Sequence, residues 1–244
     1  MAADQVKKKA FTGVGALVMR NILKQPISFI AFFALSVFLL PSELGVYWAV
    51  TEVIGLLGYF SDVGLAAALI QKRKQPKETE FQTTFTIQQI IVFTLITISL
   101  ILTPWLQNKF DFGQHGRGLF YALLFGFFTS SLKTIPSVKL ERKLAFKKLA
   151  FIDLMEQITF SGLAVLLAWQ GMGVLSWVVA VTARSVVGLV LIYIFASWPV
   201  GFAFDFQSIK DLFSFGIPYQ ANSLLAVFKD RLMNIFLWGI LGST

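Results

Sequence analysis

The sequence contains no cysteine, a single histidine and few charged residues. Without cysteine, the chain cannot form disulfides, a thiol nucleophile or a cysteine-ligated metal site. The patterns G-x-S-x-G, H-E-x-x-H and the Walker phosphate loop are also missing from the sequence. We therefore expect a protein that is not an enzyme, that binds no metal and that needs no cofactor.

The residues that are present are mostly apolar. Hydrophobic residues make up 56% of the 244 residues and charged residues only 14%, against roughly 25% charged residues in ordinary soluble domains. The apolar residues occur in blocks of about 20, the length that a helix needs to cross a bilayer. Because an open sheet edge cannot exist in lipid, we predict an all-α integral membrane protein.

The apolar blocks predict about seven transmembrane helices. We assign them to residues 11–40, 46–70, 83–106, 119–138, 149–169, 174–196 and 215–241. The first block is too long for the apolar core of a cleaved signal peptide, so we interpret it as a retained span. Pro26 lies near its middle and predicts a bend there, because proline removes a backbone donor.

The basic residues predict the orientation. Most of them lie at 7–9, 72–77, 139–148 and 210, in connections that alternate with connections holding only Lys109 and Arg117. Short cytoplasmic loops carry the excess of lysine and arginine, so we place the N-terminus in the cytoplasm. The net charge of +8 then reflects membrane topology, and we expect no nucleic-acid partner.

The segments after the sixth span predict a second bundle. We divide the chain into an N-terminal six-helix bundle at 1–200, a connector at 201–214 and the first helix of a second bundle at 215–244. The connector is either a short interfacial helix or a simple loop. Phe213-Ser-Phe-Gly216 weakly repeats Phe11-Thr-Gly-Val-Gly15, and the sequence stops directly after an apolar block. We therefore expect it to be the N-terminal fragment of a longer protein.

Charged side chains inside the predicted spans are the candidate functional residues, because each costs roughly 2.5–3.5 kcal/mol at the bilayer centre. Arg20 and Lys24 lie four residues apart on one helix face, which favours a shared cavity, although both could also extend to the interface. Arg184 lies near the centre of its span. Together with two residues of the seventh span they form our substrate-binding candidates: Arg20, Lys24, Arg184, Lys229 and Arg231.

The acidic residues of the spans are structural or coupling candidates, namely Glu52, Asp62 and Asp230. Asp62 is expected to pair with Arg20 or Arg184. We expect Lys133 either to reach the nearby interface or to face a cavity. Asp153 and Glu156 are expected to balance Lys147 and Lys148.

Four short motifs resemble a known family. They are Ser42-Glu-Leu-Gly-Val-Tyr47, Asp62-Val-Gly-Leu-Ala-Ala-Ala-Leu-Ile-Gln71, Glu141-Arg-Lys-Leu-Ala-Phe-Lys-Lys-Leu-Ala150 and Phe215-Gly-Ile-Pro-Tyr-Gln220. Together they resemble the polysaccharide-transport (Wzx-type flippase) branch of the multidrug/oligosaccharidyl-lipid/polysaccharide exporter superfamily.

The resemblance implies two six-helix bundles around a cavity that opens alternately to each side of the bacterial cytoplasmic membrane. It implies transport of undecaprenyl-diphosphate-linked oligosaccharides for cell-surface polysaccharides such as O-antigen, with a polymerase and glycosyltransferases as possible partners. A drug or cation antiporter of the same fold, a membrane enzyme and a structural subunit of polysaccharide assembly remain as alternatives.

Overall fold

The computed structural model describes residues 2–61, 63–110 and 113–241, and the side chains of 12–61, 63–107, 116–223 and 225. All its regular elements in these ranges are helices. They are α1 (Ala2–Phe38), α2 (Pro41–Tyr59), α3 (Leu65–Gln71), α4 (Glu78–Phe110), α5 (Gly113–Arg142), α6 (Phe146–Trp169), α7 (Leu175–Phe195) and α8 (Phe206–Leu241). The predicted all-α fold class is confirmed.

Five helices of the described chain are long and apolar enough to span a membrane: Thr12–Phe38, Glu78–Gln107, Gly116–Arg142, Phe146–Trp169 and Leu175–Phe195. They agree with the first, third, fourth, fifth and sixth predicted spans. Large apolar side chains such as Phe29, Phe33 and Ile101 are exposed on their outer faces. Exposure of this kind suits hydrocarbon as the surrounding solvent.

The predicted second span is wrong as a continuous helix. The chain breaks between α2 and α3, where Val63 and Gly64 have positive φ angles of 49° and 76°. Glycine adopts this conformation without steric cost, and it ends one helix before the next begins. The apolar run alone did not reveal the break, because it continues through both helices.

The helix α8 also differs from the predicted boundary, since it begins inside the predicted connector and runs into the predicted seventh span. Asp205 precedes its first residue, and its carboxylate accepts bonds from the Ser208 hydroxyl and, at 3.1 Å, from the Ser208 backbone N–H. These bonds hold the pKa of Asp205 below its usual range, the side-chain bond from Ser208 being the largest cause. They place the helix start at Phe206.

The helices form one bundle in which α6 lies between α1 and α7, and α5 packs against α7, α4 and α2. Small residues line the α6–α7 contact, among them Ala164, Ala180 and Gly188. Small side chains let helix backbones approach closely in lipid, where no hydrophobic driving force brings helices together. Pro26 lies inside α1, which continues on both sides of it, and the predicted bend stays a prediction.

Polar pairs join α4 to α5 in the interior of the bundle. Gln88 donates to Thr134 at 2.8 Å, and Gln89 donates to Ser131 at 3.1 Å. Such bonds fix helix registry in a membrane, since an unpaired amide in hydrocarbon is costly.

We call the end of the bundle that holds residues 72–77 and 139–148 the basic end. At this end Arg142 connects α5 to α3. Its guanidinium donates hydrogen bonds to the carbonyls of Leu69, Ile70, Lys72 and Lys74 at 2.6, 2.9, 2.9 and 3.2 Å. These carbonyls belong to the C-terminus of α3 and the turns after it, where no intrahelical donor is left. Arg142 therefore has a structural contact, beyond its predicted contribution to topology.

Candidate functional site

A cavity of about 1150 Å³ lies between α1, α2, α6 and α7. Aromatic side chains from all four helices line it: Phe29 and Phe32 of α1, Tyr47 and Trp48 of α2, Phe160 of α6 and Trp177 of α7. Two basic side chains also reach it, Lys24 from α1 and Arg184 from α7. It therefore combines a broad aromatic surface with positive charge at membrane depth.

The aromatic surface is built by stacking. The Tyr47 ring stacks on Trp177 with centroids 4.6 Å apart and an interplanar angle of 23°, and it lies 6.4 Å from Phe160 at 30°. Trp177 is almost completely buried and joins the main apolar core, while Trp48 is exposed. Packing on this core holds the rings of Tyr47 and Phe160 in place.

Arg184 is the better-defined cation of the cavity. Its Nε lies 3.6 Å from Oε2 of Glu156, and its guanidinium carbon lies 5.7 Å from the centre of the Phe160 ring. Its side chain keeps 44% exposure, so part of the guanidinium is open to the cavity. Lys24 is half-buried, and no side chain in the described ranges forms an ion pair with it.

Glu156 of α6 is the carboxylate that pairs with Arg184 beside the large cavity. It is buried, and besides Arg184 it binds Lys133, whose Nζ donates to Oε1 at 2.6 Å. The structure thus joins α5, α6 and α7 through Lys133, Glu156 and Arg184, which we call the Glu156 triad. A second, smaller polar cavity of about 290 Å³, lined by Lys133 and Glu156, lies on the other side of it, nearer the basic end.

Gly188 makes room for the triad. A Cβ atom at this position would collide with the Glu156 carboxylate. We expect Gly188→Ala to push Glu156 away from its partners and to lower the free energy of unfolding by about 1–3 kcal/mol, as overpacking does. The loss of stability is measured as a lower melting midpoint of the detergent-solubilised protein.

Gly162→Ala is the matched control, because a Cβ at Gly162 of α6 meets nothing within 4 Å. It should leave stability unchanged or raise it slightly, since alanine favours the helix. Equal melting midpoints for both variants would contradict the tight packing at Gly188.

Arg20 lies outside the lining of the large cavity. Its Nη1 donates to Oδ2 of Asp153 at 2.5 Å, tying α1 to α6. The side chains of Arg20 and Asp153 are 25% and 36% exposed. Arg20 and Lys24, which were predicted to share one helix face and one cavity, therefore differ: Arg20 forms an ion pair, and Lys24 lines the large cavity.

The expected partners of the acidic residues of α6 are wrong. Asp153 binds Arg20, and Glu156 binds Lys133 and Arg184, instead of Lys147 and Lys148. The physical reason is direction: positions 153 and 156 share a face of α6 that turns toward neighbouring helices, where burial requires opposite charges. Lys133 accordingly forms an ion pair at the small cavity.

The remaining candidates are Glu52, Asp62, Lys229, Asp230 and Arg231. Glu52 lies exposed on α2 and does not line the large cavity. Asp62 and the side chains of Lys229, Asp230 and Arg231 lie outside the described residues. Arg20 and Arg184, the two expected partners of Asp62, bind Asp153 and Glu156.

Sequence reasoning missed Glu156, Phe160 and Tyr47 as parts of the site. For Glu156 a signal exists, because a carboxylate inside an apolar helix predicts a basic partner on another helix. No such signal exists for the aromatic residues, since aromatic side chains are frequent throughout this sequence.

Comparison with known proteins supplies the family. No curated protein and no solved structure matches the chain significantly. A family model described as polysaccharide biosynthesis protein matches residues 34–244, which include α2 to α8 and about half of the residues that line the large cavity. The chain is therefore a multi-pass membrane protein that belongs to the polysaccharide biosynthesis protein family and serves polysaccharide biosynthesis or export.

Proposed function

We propose that the protein moves lipid-linked oligosaccharides, with undecaprenyl diphosphate as the lipid carrier, across the bacterial cytoplasmic membrane by alternating access. The observation that carries this proposal is the large cavity, which combines Arg184 and Lys24 with the stacked rings of Tyr47, Phe160 and Trp177. The family supports the same class of pathway.

The two kinds of lining suit the two parts of such a ligand. Guanidinium and ammonium groups bind phosphate oxygens, and the planar guanidinium can do so with two parallel bonds. Aromatic faces offer a flat apolar surface to the C–H groups of sugar rings. A diphosphate and a glycan, both of which hydrocarbon excludes, thus have a place between the helices.

The size of the cavity supports a large substrate. Its volume of about 1150 Å³ exceeds the roughly 300–1,000 Å³ that is typical of small-molecule sites. A diphosphate with several sugars needs this space, whereas a single ion or one monosaccharide does not.

The charge of the cavity disfavours a drug or cation antiporter of the same fold. Such a carrier needs a negative cavity, yet among the side chains that the structure describes the charged groups lining the large cavity are Lys24 and Arg184. The only carboxylate bound to Arg184 in the described part of the chain is Glu156, which is neutralised further by Lys133. A positive cavity repels a cationic substrate.

We further propose that the protein is a transporter and not an enzyme, with its N-terminus and basic end in the cytoplasm. Glycosyltransferases that build the lipid-linked glycan would supply its substrate, and a polysaccharide polymerase would use the product. The clustering of basic residues at one end of the bundle supports this orientation.

Reconstitution tests the function directly. Full-length protein is placed in liposomes that carry a fluorescent undecaprenyl-diphosphate oligosaccharide in the inner leaflet, and a membrane-impermeant quencher is added outside. We expect quenching to increase with time faster than in protein-free liposomes. Equal rates would contradict the proposal, and accumulation of a cationic dye in the same liposomes would favour the antiporter.

A further inference from the structure

The Glu156 triad is asymmetric. Lys133 binds Glu156 at 2.6 Å, whereas the closest contact of Arg184 with Glu156 is 3.6 Å. The side chains of Lys133 and Glu156 are 19% and 10% exposed, and that of Arg184 is 44% exposed. One cation is therefore held tightly in the interior, and the other is held loosely at the cavity wall.

The loose contact leaves Arg184 with binding capacity. A guanidinium carries five N–H donors, and its shortest distance to Glu156, 3.6 Å from Nε to Oε2, is too long for a hydrogen bond. The guanidinium carbon also lies over the ring of Phe160, 5.7 Å from its centre, which is a cation–π contact. An anion in the large cavity can therefore meet a guanidinium that lies at the cavity wall and has free donors.

An anion that binds Arg184 must also compete with Glu156, because both are negative and approach the same cation. Loss of the Glu156–Arg184 contact does not leave a buried charge unpaired, since Lys133 still neutralises Glu156. The exchange of Arg184 between the carboxylate and an outside anion is therefore reversible at low cost. Without Lys133, the same exchange would leave a bare carboxylate in the membrane.

We propose that Glu156 is a positioning residue that holds Arg184 for a phosphate group and then competes with that phosphate, which limits the affinity and permits release. The proposal rests on the proposed function and names the regulation of its binding site. A carrier needs binding strong enough to load and weak enough to unload, and the internal carboxylate sets that balance.

The test uses Glu156→Gln, which keeps the shape of the side chain and a hydrogen-bond acceptor for Lys133 but removes the charge. Calorimetric titration of the purified full-length protein with inorganic pyrophosphate should show binding about tenfold tighter than in the wild type, or about 1.4 kcal/mol. In liposomes, the half-saturating concentration of the lipid-linked oligosaccharide and the maximal rate should both fall, because release becomes slow.

Asp153→Asn is the matched control. Asp153 lies on the same face of α6 as Glu156, but its carboxylate pairs with Arg20. Removing this charge should therefore leave the affinity for pyrophosphate unchanged. A merely structural role of Glu156 would lower the maximal rate without tightening binding. Unchanged or weaker pyrophosphate binding in Glu156→Gln overturns the proposal.

Two further measurements separate the possible failures. If Glu156→Gln does not fold, Glu156→Asp keeps the charge but withdraws it from Arg184, and we expect smaller tightening in the same direction; unchanged affinity again overturns the role of Glu156. If the wild type does not move the lipid-linked oligosaccharide but Glu156→Gln still tightens pyrophosphate binding, the proposed function fails and the role of Glu156 stands.

Discussion

Arg184→Gln should reduce polysaccharide export to a few per cent of the wild-type level while the protein still inserts in the membrane. The glutamine retains hydrogen-bonding groups at the cavity wall but cannot provide the charge, and a charge-assisted bond contributes roughly 1.5–3 kcal/mol. That loss corresponds to about a tenfold to hundredfold weaker apparent affinity for a phosphate-bearing substrate. Export is measured as surface polysaccharide in a strain from which the gene has been deleted.

Three further variants test whether the loss of export is specific to the basic residues of the large cavity. Lys24→Gln should weaken export less than Arg184→Gln, because an ammonium binds phosphate as a point charge without the planar fork of a guanidinium. Arg73→Gln removes a positive charge at the exposed basic end, away from the lining of the large cavity, and should leave export unchanged. Normal export by the Lys24→Gln/Arg184→Gln double variant would exclude both residues from substrate binding.

Arg142→Ala should cause the largest loss of stability among the variants considered. It removes the donor that serves the carbonyls of Leu69, Ile70, Lys72 and Lys74, and charged hydrogen bonds of this kind contribute roughly 1.5–3 kcal/mol. We expect a melting midpoint about 5–10 °C lower in detergent, given that 1 kcal/mol shifts a chain of this size by about 2–4 °C. The end of α3 should become accessible to protease.

Two substitutions test whether Arg142 stabilises the protein through the geometry of its hydrogen bonds or through its charge. Arg142→Lys keeps the charge, but its single ammonium cannot reach four carbonyls, so its midpoint should lie between those of the wild type and the alanine variant. Lys143→Ala removes a neighbouring exposed charge and should leave the midpoint unchanged. If Arg142→Lys were as stable as the wild type, charge alone would explain the effect.

The candidate site shows what the sequence alone can indicate about charged residues in membrane spans. Arg184 and Lys24 were predicted to face a cavity, because ionised groups in hydrocarbon need water or a partner, and both line the large cavity in the structure. Whether they bind substrate stays a prediction. Arg20 had the same local signal but lies in an ion pair, since its surroundings depend on which helix α1 meets and not on its own residues.

The chain by itself determined the all-α membrane fold, five of the spans and the clustering of basic residues, because bilayer thickness imposes a length and an apolar composition that can be counted along one segment. Only the tertiary structure decided the ion pairs of Glu156 with Lys133 and Arg184 and the contacts of Arg142 with the end of α3. These features join residues on different helices. Their energy depends on how the helices meet, and no single segment of the sequence contains that information.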